Sequence, residues 1–514
     1  MTQTPDRQPP PPVDWTRVHK IHLMRICGSA MGALAVMLKT RGFEVRGSDA
    51  APYPPMSDFL AARQIPVERG YAADHLDWGP DLCVVGNVMR PDYPQVIAMR
   101  ERGLPHASLP ETLAALFLEG RIPVVVTGTH GKTTTAAMTA WLLETAGLEP
   151  SFFIGGVATN WQSNHHLGAG RFFVVEGDEY DTAYWDKGSK FLHYRPHLAS
   201  INNLEMDHAD IFADVDAIER TFSRFAALLP PAPTSASAAS DPTTAPTPAL
   251  STDLPSPCLI VPSWEARARS AAAATSAPIW LTALSDQASP APDAQVRAEN
   301  LVYAQDRTTF DLHLPNSSPV LVDLPMPGRH NVMNALIAAG LAFAAGASPT
   351  AIATGLHTFA LPLKRLTIRG EVAGTIVYDD FAHHPTAIEA TLSALRQRHP
   401  GHRLVALFEA QSNTARRKVF QDGFATALAH ADRVWFCKPL DKASDPLPVD
   451  QRIDLGAVRQ HLEARGTKAT IIEDIPSLAA AVIAETRPGD VLAVLSGRDF
   501  GNIHDLLLTG LRSR

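Results

Sequence analysis

The stretch from Val124 to Thr135 holds the residues best suited to chemistry. It reads Val-Val-Val-Thr-Gly-Thr-His-Gly-Lys-Thr-Thr-Thr, so an apolar strand turns through glycines into a helix. Backbone N–H groups at a helix start bind phosphate, Lys132 adds positive charge, and the Thr133 hydroxyl can hold Mg²⁺. Only the second half of the usual phosphate-loop motif is present, and an ordinary glycine turn is the alternative. The predicted nucleotide contacts are Gly128, Thr129, His130, Gly131, Lys132, Thr133 and Thr134.

Two further strand ends supply acidic and imidazole ligands. Glu176 follows the apolar residues 172–175, and His208 lies a few residues beyond the strand predicted over 198–202. Ligands bind outside the carboxyl ends of strands in an open parallel sheet, so these side chains should share a crevice with the phosphate loop. Thr133 and Glu176 are predicted to hold a first Mg²⁺, and Glu176 and His208 a second. The alternatives are a solvated loop acid for Glu176 and a capping or surface histidine for His208.

A third group of polar residues lies nearer the C-terminus. Asn331 and Asn334 are three residues apart at the start of an Ala-rich helix, where their amides could hydrogen-bond an adenine edge. N-capping by Asn331 is the competing interpretation. The loop 379–384 places two carboxylates and two imidazoles after a predicted strand. Metal binding through its adjacent histidines is the rival functional interpretation of that loop.

Composition narrows the class of protein. The 514 residues exceed what one core usually covers, which predicts two or three domains. A net charge of −8 argues against a nucleic-acid partner. The four cysteines form no CxxC pair, which indicates reduced thiols rather than a zinc site or disulfides. No stretch approaches the roughly 20 apolar residues of a membrane span, and the Pro-rich start is unlike a signal peptide, so we expect a cytoplasmic protein without membrane insertion.

Strand and helix signals alternate through three successive segments, which predicts three α/β domains with parallel sheets. The predicted strands include 20–24 in the first segment and 375–378, 404–408, 433–436 and 491–495 in the third. The first and last should be Rossmann-like, and the central one should be a P-loop ATPase domain. The segment 230–257 consists almost entirely of Pro, Ala, Ser and Thr and cannot bury enough apolar surface to fold. An Ala-rich stretch over 266–277 could extend this segment. The expected boundaries are a disordered tail over 1–19, domains over 20–117, 118–326 and 327–514, and a low-complexity insertion over 230–257.

Together these motifs resemble the Mur ligase superfamily, the ATP-dependent amide-bond-forming enzymes of peptidoglycan synthesis. The resemblance covers nearly the whole chain outside the tail and the insertion. Its most specific strings are Gly47-Ser-Asp-Ala50, Gly128-Thr-His-Gly-Lys-Thr133, Asp178-Glu-Tyr-Asp-Thr-Ala-Tyr-Trp-Asp-Lys187, Asn202-Asn-Leu-Glu-Met-Asp-His208, His330-Asn-Val-Met-Asn334 and Tyr378-Asp-Asp-Phe-Ala-His-His-Pro385.

The resemblance implies a role for each domain. The first would bind a UDP-sugar, the second would bind ATP and Mg²⁺, and the third would close over the site and hold a peptide. Lys132, Glu176 and His208 would be the catalytic residues. The implied sugar-nucleotide contacts are Gly28, Ser29, Met31, Ser48, Asp49 and Asn87. The implied contributions of the third domain are Asn331, Asn334, Arg365, Asp380 and His383 to the nucleotide, and Ser412, Asn413 and Thr414 to the peptide.

Within the superfamily, the chain is most similar to the branch that recycles cell-wall peptides. Its members join the tripeptide L-Ala-γ-D-Glu-meso-diaminopimelate to UDP-N-acetylmuramate through an acyl phosphate. The alternative is the branch that adds L-alanine alone, and a P-loop switch or transport ATPase is a rival of another class. The chain departs from the pattern at Arg25, where relatives have glycine, at residues 410–411 and at residues 497–499. The last two bear on how the third peptide residue is selected.

Overall fold

The computed structural model describes residues 10–514 apart from positions 53, 55, 210, 233–253, 288–290 and 440–446. The expected disordered tail over 1–19 therefore lies partly outside the described residues. Its described part is ordered, which corrects that expectation. Trp15–Arg17 forms a 3₁₀ turn capped by Asp14, and Trp15 and Val18 pack against the core of the first domain.

The first domain is built on a five-stranded parallel sheet in the order β3-β2-β1-β4-β5. The strand order reverses between β1 and β4, and ligands bind at such a switch point in doubly wound sheets. The loops that follow these two strands therefore border the natural crevice of this domain. Its strands are β1 Lys20–Met24, β2 Glu44–Asp49, β3 Val67–Arg69, β4 Leu82–Val85 and β5 His106–Ser108, and its helices are α1 Ser29–Thr40, α2 Met56–Ala61, α3 Pro94–Glu101 and α4 Leu109–Leu113.

A ten-stranded sheet forms the second domain, in the order β15-β14-β13-β12-β11-β10-β6-β9-β7-β8. Strand β6 lies between β10 and β9 and runs parallel to both, so the loops after these three strands leave the sheet side by side. The strands are β6 Ile122–Thr127, β7 Ser151–Ala158, β8 Ser163–His166, β9 Phe172–Glu176, β10 Leu198–Ile201, β11 Cys258–Pro262, β12 Ile279–Leu284, β13 Val296–Tyr303, β14 Thr308–His313 and β15 Val320–Leu324. The helices are α5 Lys132–Thr145, α6 Val215–Ala226, α7 Ala266–Ala272, α8 Arg329–Ala344 and α9 Pro349–Thr358.

The third domain contains a six-stranded sheet in the order β16-β17-β21-β18-β19-β20, parallel except for β16. The four strands predicted from sequence are β17, β18, β19 and β21, which form the middle of this sheet. The strands are β16 Thr367–Val372, β17 Thr375–Asp380, β18 Leu404–Glu409, β19 Arg433–Cys437, β20 Lys468–Ile472 and β21 Val491–Leu495. The helices are α10 Pro385–Arg398, α11 Gln421–Leu428, α12 Leu455–Ala464, α13 Ile475–Glu485 and α14 Ile503–Arg512. The expected architecture of three α/β domains is confirmed.

The boundary between the second and third domains differs from the expected position at 326/327. Helices α8 and α9 follow that position, but their apolar residues belong to the core of the second domain. Helix α8 is buried on nearly all sides, from Asn331 to Ala342, because it packs against α5 and the strands β10 to β13. The third sheet begins only at Thr367, so the structural boundary lies near residue 360.

The predicted low-complexity insertion over 230–257 lies mostly outside the described residues. The expectation that the Ala-rich stretch over 266–277 could extend this insertion is wrong, because part of that stretch is a packed helix. Residues Ala266–Ala272 form α7, and Ala268, Ala271 and Ala272 are fully buried against the helix α6 and the strand β11. Within the described part of the chain, no helix has both the length and the apolar character that a membrane span requires.

Candidate active site

The phosphate loop connects β6 to α5 through two glycines in the left-handed region. Gly128 has φ 131° and Gly131 has φ 78°, conformations that side chains with a Cβ rarely adopt. A Cβ on Gly131 would lie 2.5 Å from Oδ1 of Asn334, so the loop also needs a small residue there. The amide of His130 donates to Oδ1 of Asn203 at 2.7 Å, which anchors the loop to the segment after β10. The first turn of α5 carries no side-chain cap, so its N–H groups are available to an anion.

Lys132 lies at the start of α5 with only 12% of its side chain exposed, and its ammonium group is fully hydrogen-bonded. Its Nζ donates to the carbonyls of Gly128 at 2.8 Å and Thr129 at 3.2 Å, and to both oxygens of Glu179 at 3.0 and 2.8 Å. Burial alone would lower the pKa of Lys132, but the charges of Glu179 and Asp178 outweigh it and raise that pKa. The ammonium group is therefore charged at neutral pH.

Glu176, at the end of β9, meets the second residue of α5. The Thr133 hydroxyl donates to Oε1 of Glu176 at 2.9 Å, and the amide of Gly155 donates to Oε2 at 2.6 Å. Burial raises the pKa of Glu176 above its usual range, and the nearby charge of Lys132 opposes that rise. A hydroxyl and a carboxylate side by side next to a phosphate loop are the hard oxygen donors that Mg²⁺ prefers. The residues present thus fit that ion.

His208 lies in the same crevice, but its partner is Glu179 and not Glu176. Its Nε2 donates to Oε1 of Glu179 at 3.1 Å and lies 3.6 Å from Oδ2 of Asp207. Burial alone would lower the pKa of His208, but the bond to Glu179 and the charge of Asp207 outweigh it and raise the pKa. The sharing of one ion by Glu176 and His208 stays a prediction, and the contact that His208 makes in this structure is with Glu179. Among the described residues, Glu179, Asp207 and His208 are the ones close enough to share a cation on this side.

The two asparagines of α8 occupy different surroundings. Asn331 donates through Nδ2 to the carbonyl of Pro327 at 2.7 Å, which makes it a buried structural residue at the start of the helix. Oδ1 of Asn334 accepts a hydrogen bond from the Thr135 hydroxyl at 3.2 Å and faces Gly131 of the phosphate loop. Asn334 therefore lies at the loop, while Asn331 is one helical turn away from such a contact.

The three predicted nucleotide contacts of the third domain lie next to its first two strands. They are Arg365, just before β16, Asp380, at the end of β17, and His383, in the loop after β17. The guanidinium of Arg365 lies 4.8 Å from the ring centre of Phe381 and lines a cavity of about 400 Å³ between the second and third domains. Asp380 accepts from the amides of Leu366 at 2.8 Å and Ala382 at 2.9 Å, so both its oxygens hold this loop in place. Nδ1 of His383 hydrogen-bonds the carbonyl of Phe381 at 2.9 Å. Burial raises the pKa of Asp380 and lowers that of His383.

The third domain contacts the phosphate-loop crevice directly. The hydroxyl of Thr414 donates to Oδ1 of Asp207 at 2.5 Å, so this predicted peptide residue lies beside His208. Ser412 accepts from the amide of Ala415 at 2.9 Å and shapes the turn, and Asn413 next to it is half-buried. The segment 412–414 is therefore located where the second and third domains meet.

In the first domain, the predicted sugar-nucleotide residues gather at the switch point of its sheet. The amide of Cys27 donates to Oδ2 of Asp49 at 3.0 Å, and Gly28 precedes the helix α1. Arg25 has φ 69°, a left-handed conformation that explains why glycine is usual there. Its amide donates to the carbonyl of Ser48 at 2.8 Å.

The other predicted sugar-nucleotide residues of this domain differ in burial and in hydrogen bonding. The Ser48 hydroxyl is buried and donates to Oε1 of Gln95 at 2.6 Å, so it belongs to a polar network inside the domain. Met31 is a buried core residue, whereas Asn87 is half-buried in the turn after β4. The carbonyl of Ser29 accepts from Nδ2 of Asn164 at 3.3 Å, which links the first domain to the second.

Three acids at the crevice were not predicted as site residues, and His384 was considered only as a metal ligand together with His383. Glu179 and Asp207 complete the ion-pair network around Lys132 and His208, and Glu205 and His384 contact His130 of the phosphate loop. A signal was present, because Glu179 follows Glu176 by three residues and Glu205 precedes His208 by three. The alternation of strands and helices in the sequence does not indicate which of several acidic residues in a loop points into the crevice.

Comparisons with known proteins agree with this geometry. The Mur ligase family catalytic domain matches residues 20–121, the Mur ligase middle domain matches 126–342, and the glutamate ligase domain of Mur ligases matches 364–498. The chain belongs to the Mur ligase family, and it is an enzyme of the ligase class. The match of the middle domain includes nearly all of α8, in agreement with the structural boundary.

Full-length relatives include the UDP-N-acetylmuramate–L-alanyl-γ-D-glutamyl-meso-2,6-diaminoheptandioate ligase of Escherichia coli K12, which is 37% identical over 96% of this chain and 99% of its own length. A UDP-N-acetylmuramate–L-alanine ligase of Kineococcus radiotolerans is 33% identical over 97% of each chain. Among solved structures, a murein peptide ligase of Psychrobacter arcticus 273-4 is 31% identical with a TM-score of 0.70, covering 96% of this chain and 99% of that one.

Proposed function

We propose that this protein joins the tripeptide L-alanyl-γ-D-glutamyl-meso-diaminopimelate to UDP-N-acetylmuramate, with ATP as the energy source, in cell-wall peptide recycling. The observation that carries the proposal is the 37% identity, over the whole chain, to the Escherichia coli ligase of that name. The arrangement of the phosphate loop, Glu176, Glu179 and His208 in one crevice supports it. ATP and UDP-linked sugars are cytoplasmic metabolites, so we place the reaction in the cytoplasm.

Amide formation requires an activated carboxylate. The γ-phosphoryl group of ATP moves onto the lactyl carboxylate of UDP-N-acetylmuramate to give an acyl phosphate. The α-amine of the tripeptide attacks the acyl carbon, and inorganic phosphate leaves. Two anions about 4 Å apart repel each other by about 4 kcal/mol at an effective dielectric constant of 20, so the site must supply positive charge.

Lys132 is the residue that supplies this charge. Its raised pKa keeps it protonated, and its position at the start of α5 suits contact with the transferring phosphoryl group. Thr133 and Glu176 would hold Mg²⁺, which when bound adds further positive charge at the phosphates. The raised pKa of His208 favours the protonated ring, which would add further positive charge to the crevice.

The third domain would protect the acyl phosphate from water. Thr414 and Thr386 of that domain bond Asp207 and Glu205 of the second domain at 2.5 and 2.6 Å. These contacts bring the third domain against the crevice next to His208. A domain that closes over a labile intermediate prevents its hydrolysis.

The test is amine-dependent ADP release by the purified protein with UDP-N-acetylmuramate, ATP and Mg²⁺. We expect strong stimulation by the tripeptide and little by L-alanine, with the UDP-linked product identified by mass spectrometry. The alternative, L-alanine addition, would be favoured if L-alanine were the better amine. Peptides with lysine as third residue test the selectivity, since Ala410 and Gln411 stand where relatives carry another pair.

A phosphate-loop variant provides the control. Lys132→Ala removes the charge next to the transferring phosphoryl group, so turnover should fall to background while the protein remains folded by circular dichroism. A near-normal rate in this variant would contradict the assignment of the phosphate loop. It would leave open whether the protein binds the sugar nucleotide, which equilibrium dialysis measures separately.

A further inference from the structure

A cluster of two imidazoles and one carboxylate connects the phosphate loop to the third domain. Nε2 of His130 lies 3.5 Å from Oε2 of Glu205, and Nδ1 of His384 lies 3.8 Å from the same oxygen. One donor atom from each of the three residues lies within 4.8 Å of both others. The two rings are 4.5 Å apart between their centres. None of these contacts is needed for the proposed transfer of the phosphoryl group.

One imidazole nitrogen of His130 and one of His384 are left with no strong hydrogen bond. Nε2 of His130 is buried and has no hydrogen-bond partner among the described residues. Nε2 of His384 donates to the carbonyl of Met206 at 3.1 Å, so its Nδ1 carries the lone pair. That lone pair receives only a long bond of 3.4 Å from the amide of Thr386, whose hydroxyl donates to Oε2 of Glu205 at 2.6 Å.

We propose that His130, Glu205 and His384 form a binding site for a divalent transition-metal ion of the Zn²⁺ type. Bond lengths of about 2.0–2.2 Å in a tetrahedral site put ligand atoms roughly 3.3–3.6 Å apart. Oε2 of Glu205 lies 3.5 Å from Nε2 of His130 and 3.8 Å from Nδ1 of His384. Metal-binding histidines usually donate their other N–H to a carbonyl or carboxylate, as His384 does to Met206. Two nitrogen ligands disfavour Mg²⁺, so this site differs in kind from the oxygen pair of Thr133 and Glu176.

Such an ion would join two domains. His130 and Glu205 belong to the second domain, whereas His384 caps the helix α10 of the third. A bound ion would hold the two domains in the relative arrangement seen in this structure. If the protein has the proposed ligase function, which requires the domains to open for product release, this ion would slow turnover.

The test uses the full-length protein without nucleotide. Isothermal titration with Zn²⁺ gives the stoichiometry and affinity, and the visible absorption of bound Co²⁺ reports the geometry. The variants are Glu205→Gln and His384→Gln, each of which removes one ligand. The matched control is Thr386→Val, which removes a hydrogen bond to Glu205 but none of the three ligands.

We expect one Zn²⁺ per chain and the intense Co²⁺ absorption of a four-coordinate site. Because even loss of an outer hydrogen bond to a ligand can weaken a site 10–100-fold, loss of a ligand should weaken binding by about 100-fold or more. The control loses only one such outer hydrogen bond, so it should bind Zn²⁺ about 10-fold more weakly than the unmodified protein and clearly more tightly than either ligand variant. Unchanged affinity in both ligand variants would overturn the proposal. Loss of binding in Asp207→Asn with retention in His384→Gln would also overturn it, because the ion would then sit at His208. Neither result depends on ligase activity.

Discussion

The buried pair of Lys132 and Glu179 gives the sharpest quantitative prediction. Both oxygens of Glu179 accept from Nζ, at 3.0 and 2.8 Å, and the two side chains are only 12% and 4% exposed. In Glu179→Gln the amide still accepts one bond, but Lys132 loses its nearest negative charge. Removing one partner of a buried pair costs about 3–5 kcal/mol. Because the carboxylates of Asp178 and Glu176 remain nearby, we expect a loss of about 2–3 kcal/mol.

A surface pair of the same composition is the control. Nζ of Lys438 lies 3.0 and 2.9 Å from the two oxygens of Glu473, nearly the same geometry, but the side chains are 58% and 76% exposed. Exposed pairs are screened by solvent and contribute about 0–1 kcal/mol. Glu473→Gln should therefore change stability little. The difference between the two variants isolates the effect of burial.

Differential scanning calorimetry at neutral pH measures both variants. For a domain of this size, 1 kcal/mol shifts the midpoint by about 2–4 °C, so Glu179→Gln should lower it by roughly 4–12 °C. Urea unfolding provides an independent free energy. Equal midpoints for the two variants would refute the reasoning, because the buried pair would then stabilise the protein no more than the exposed one.

Three other changes have defined outcomes. Gly131→Ala should destabilise more than Gly147→Ala in urea unfolding: both have positive φ (78° and 71°), a backbone cost of about 1–2 kcal/mol, but only the first places a Cβ 2.5 Å from Asn334. Burial lowers the pKa of His22 to about 3, so below pH 6.5 the unfolded chain binds a proton that the folded chain does not. As the pH falls from 6.5 towards 3, this group should lower the free energy of unfolding by about 1.4 kcal/mol per pH unit. His22→Asn should make the dependence of that free energy on pH less steep. Thr133→Val should raise the Mg²⁺ concentration that gives half-maximal ligase activity, measured by titration.

Each of these has a contradicting result. Equal losses for the two glycine variants would mean that the phosphate loop accommodates a Cβ by moving. If His22→Asn left the pH dependence of stability unchanged, the imidazole of His22 would have to be protonated in the folded, unmodified protein. An unchanged Mg²⁺ requirement in the threonine variant would remove its hydroxyl from the ion site.

The fold was predictable where strands are apolar and close in sequence to a turn. Strand β1 was predicted with its observed limits, 20–24, and the middle strands of the third sheet were also found. Helix α8 was recognised as a helix but assigned to the wrong domain. A helix that is apolar on all sides indicates burial, yet the sequence does not say against which sheet it packs. Three antiparallel strands, β13 to β15, gave no signal strong enough to predict.

The Ala-rich helix α7 shows a related difficulty. Alanine lowers the apolar surface of a segment, which favours disorder in a Pro- and Ser-rich context. Here Ala266–Ala272 contains no proline, and alanine has the highest intrinsic helix propensity. Small side chains also let the helix approach α6 closely. Composition over a long window therefore misjudged a short segment whose local propensity was clear.

The candidate site divides in the same way. Glu176 was predictable because the register of β9 against β6 pairs it with Val126, next to the phosphate loop. Glu179 lies three residues later, in a loop whose own bonds set its course; its carbonyl accepts from the Ser189 hydroxyl at 2.7 Å. The direction of its side chain depends on that closure and not on the sheet.

His208 depends on its loop to a still greater degree. It has φ 51°, a left-handed conformation that is uncommon for histidine, and its carbonyl accepts from the amides of Ile211 at 2.8 Å and Phe212 at 3.0 Å. That turn aims the ring at Glu179 instead of Glu176. One half of the crevice is thus positioned by strand register, and the other half by the closure of two irregular loops. Because Glu179 contacts both Lys132 and His208, it couples these halves, and its replacement should disturb the pKa of His208 as well as the stability of the phosphate loop.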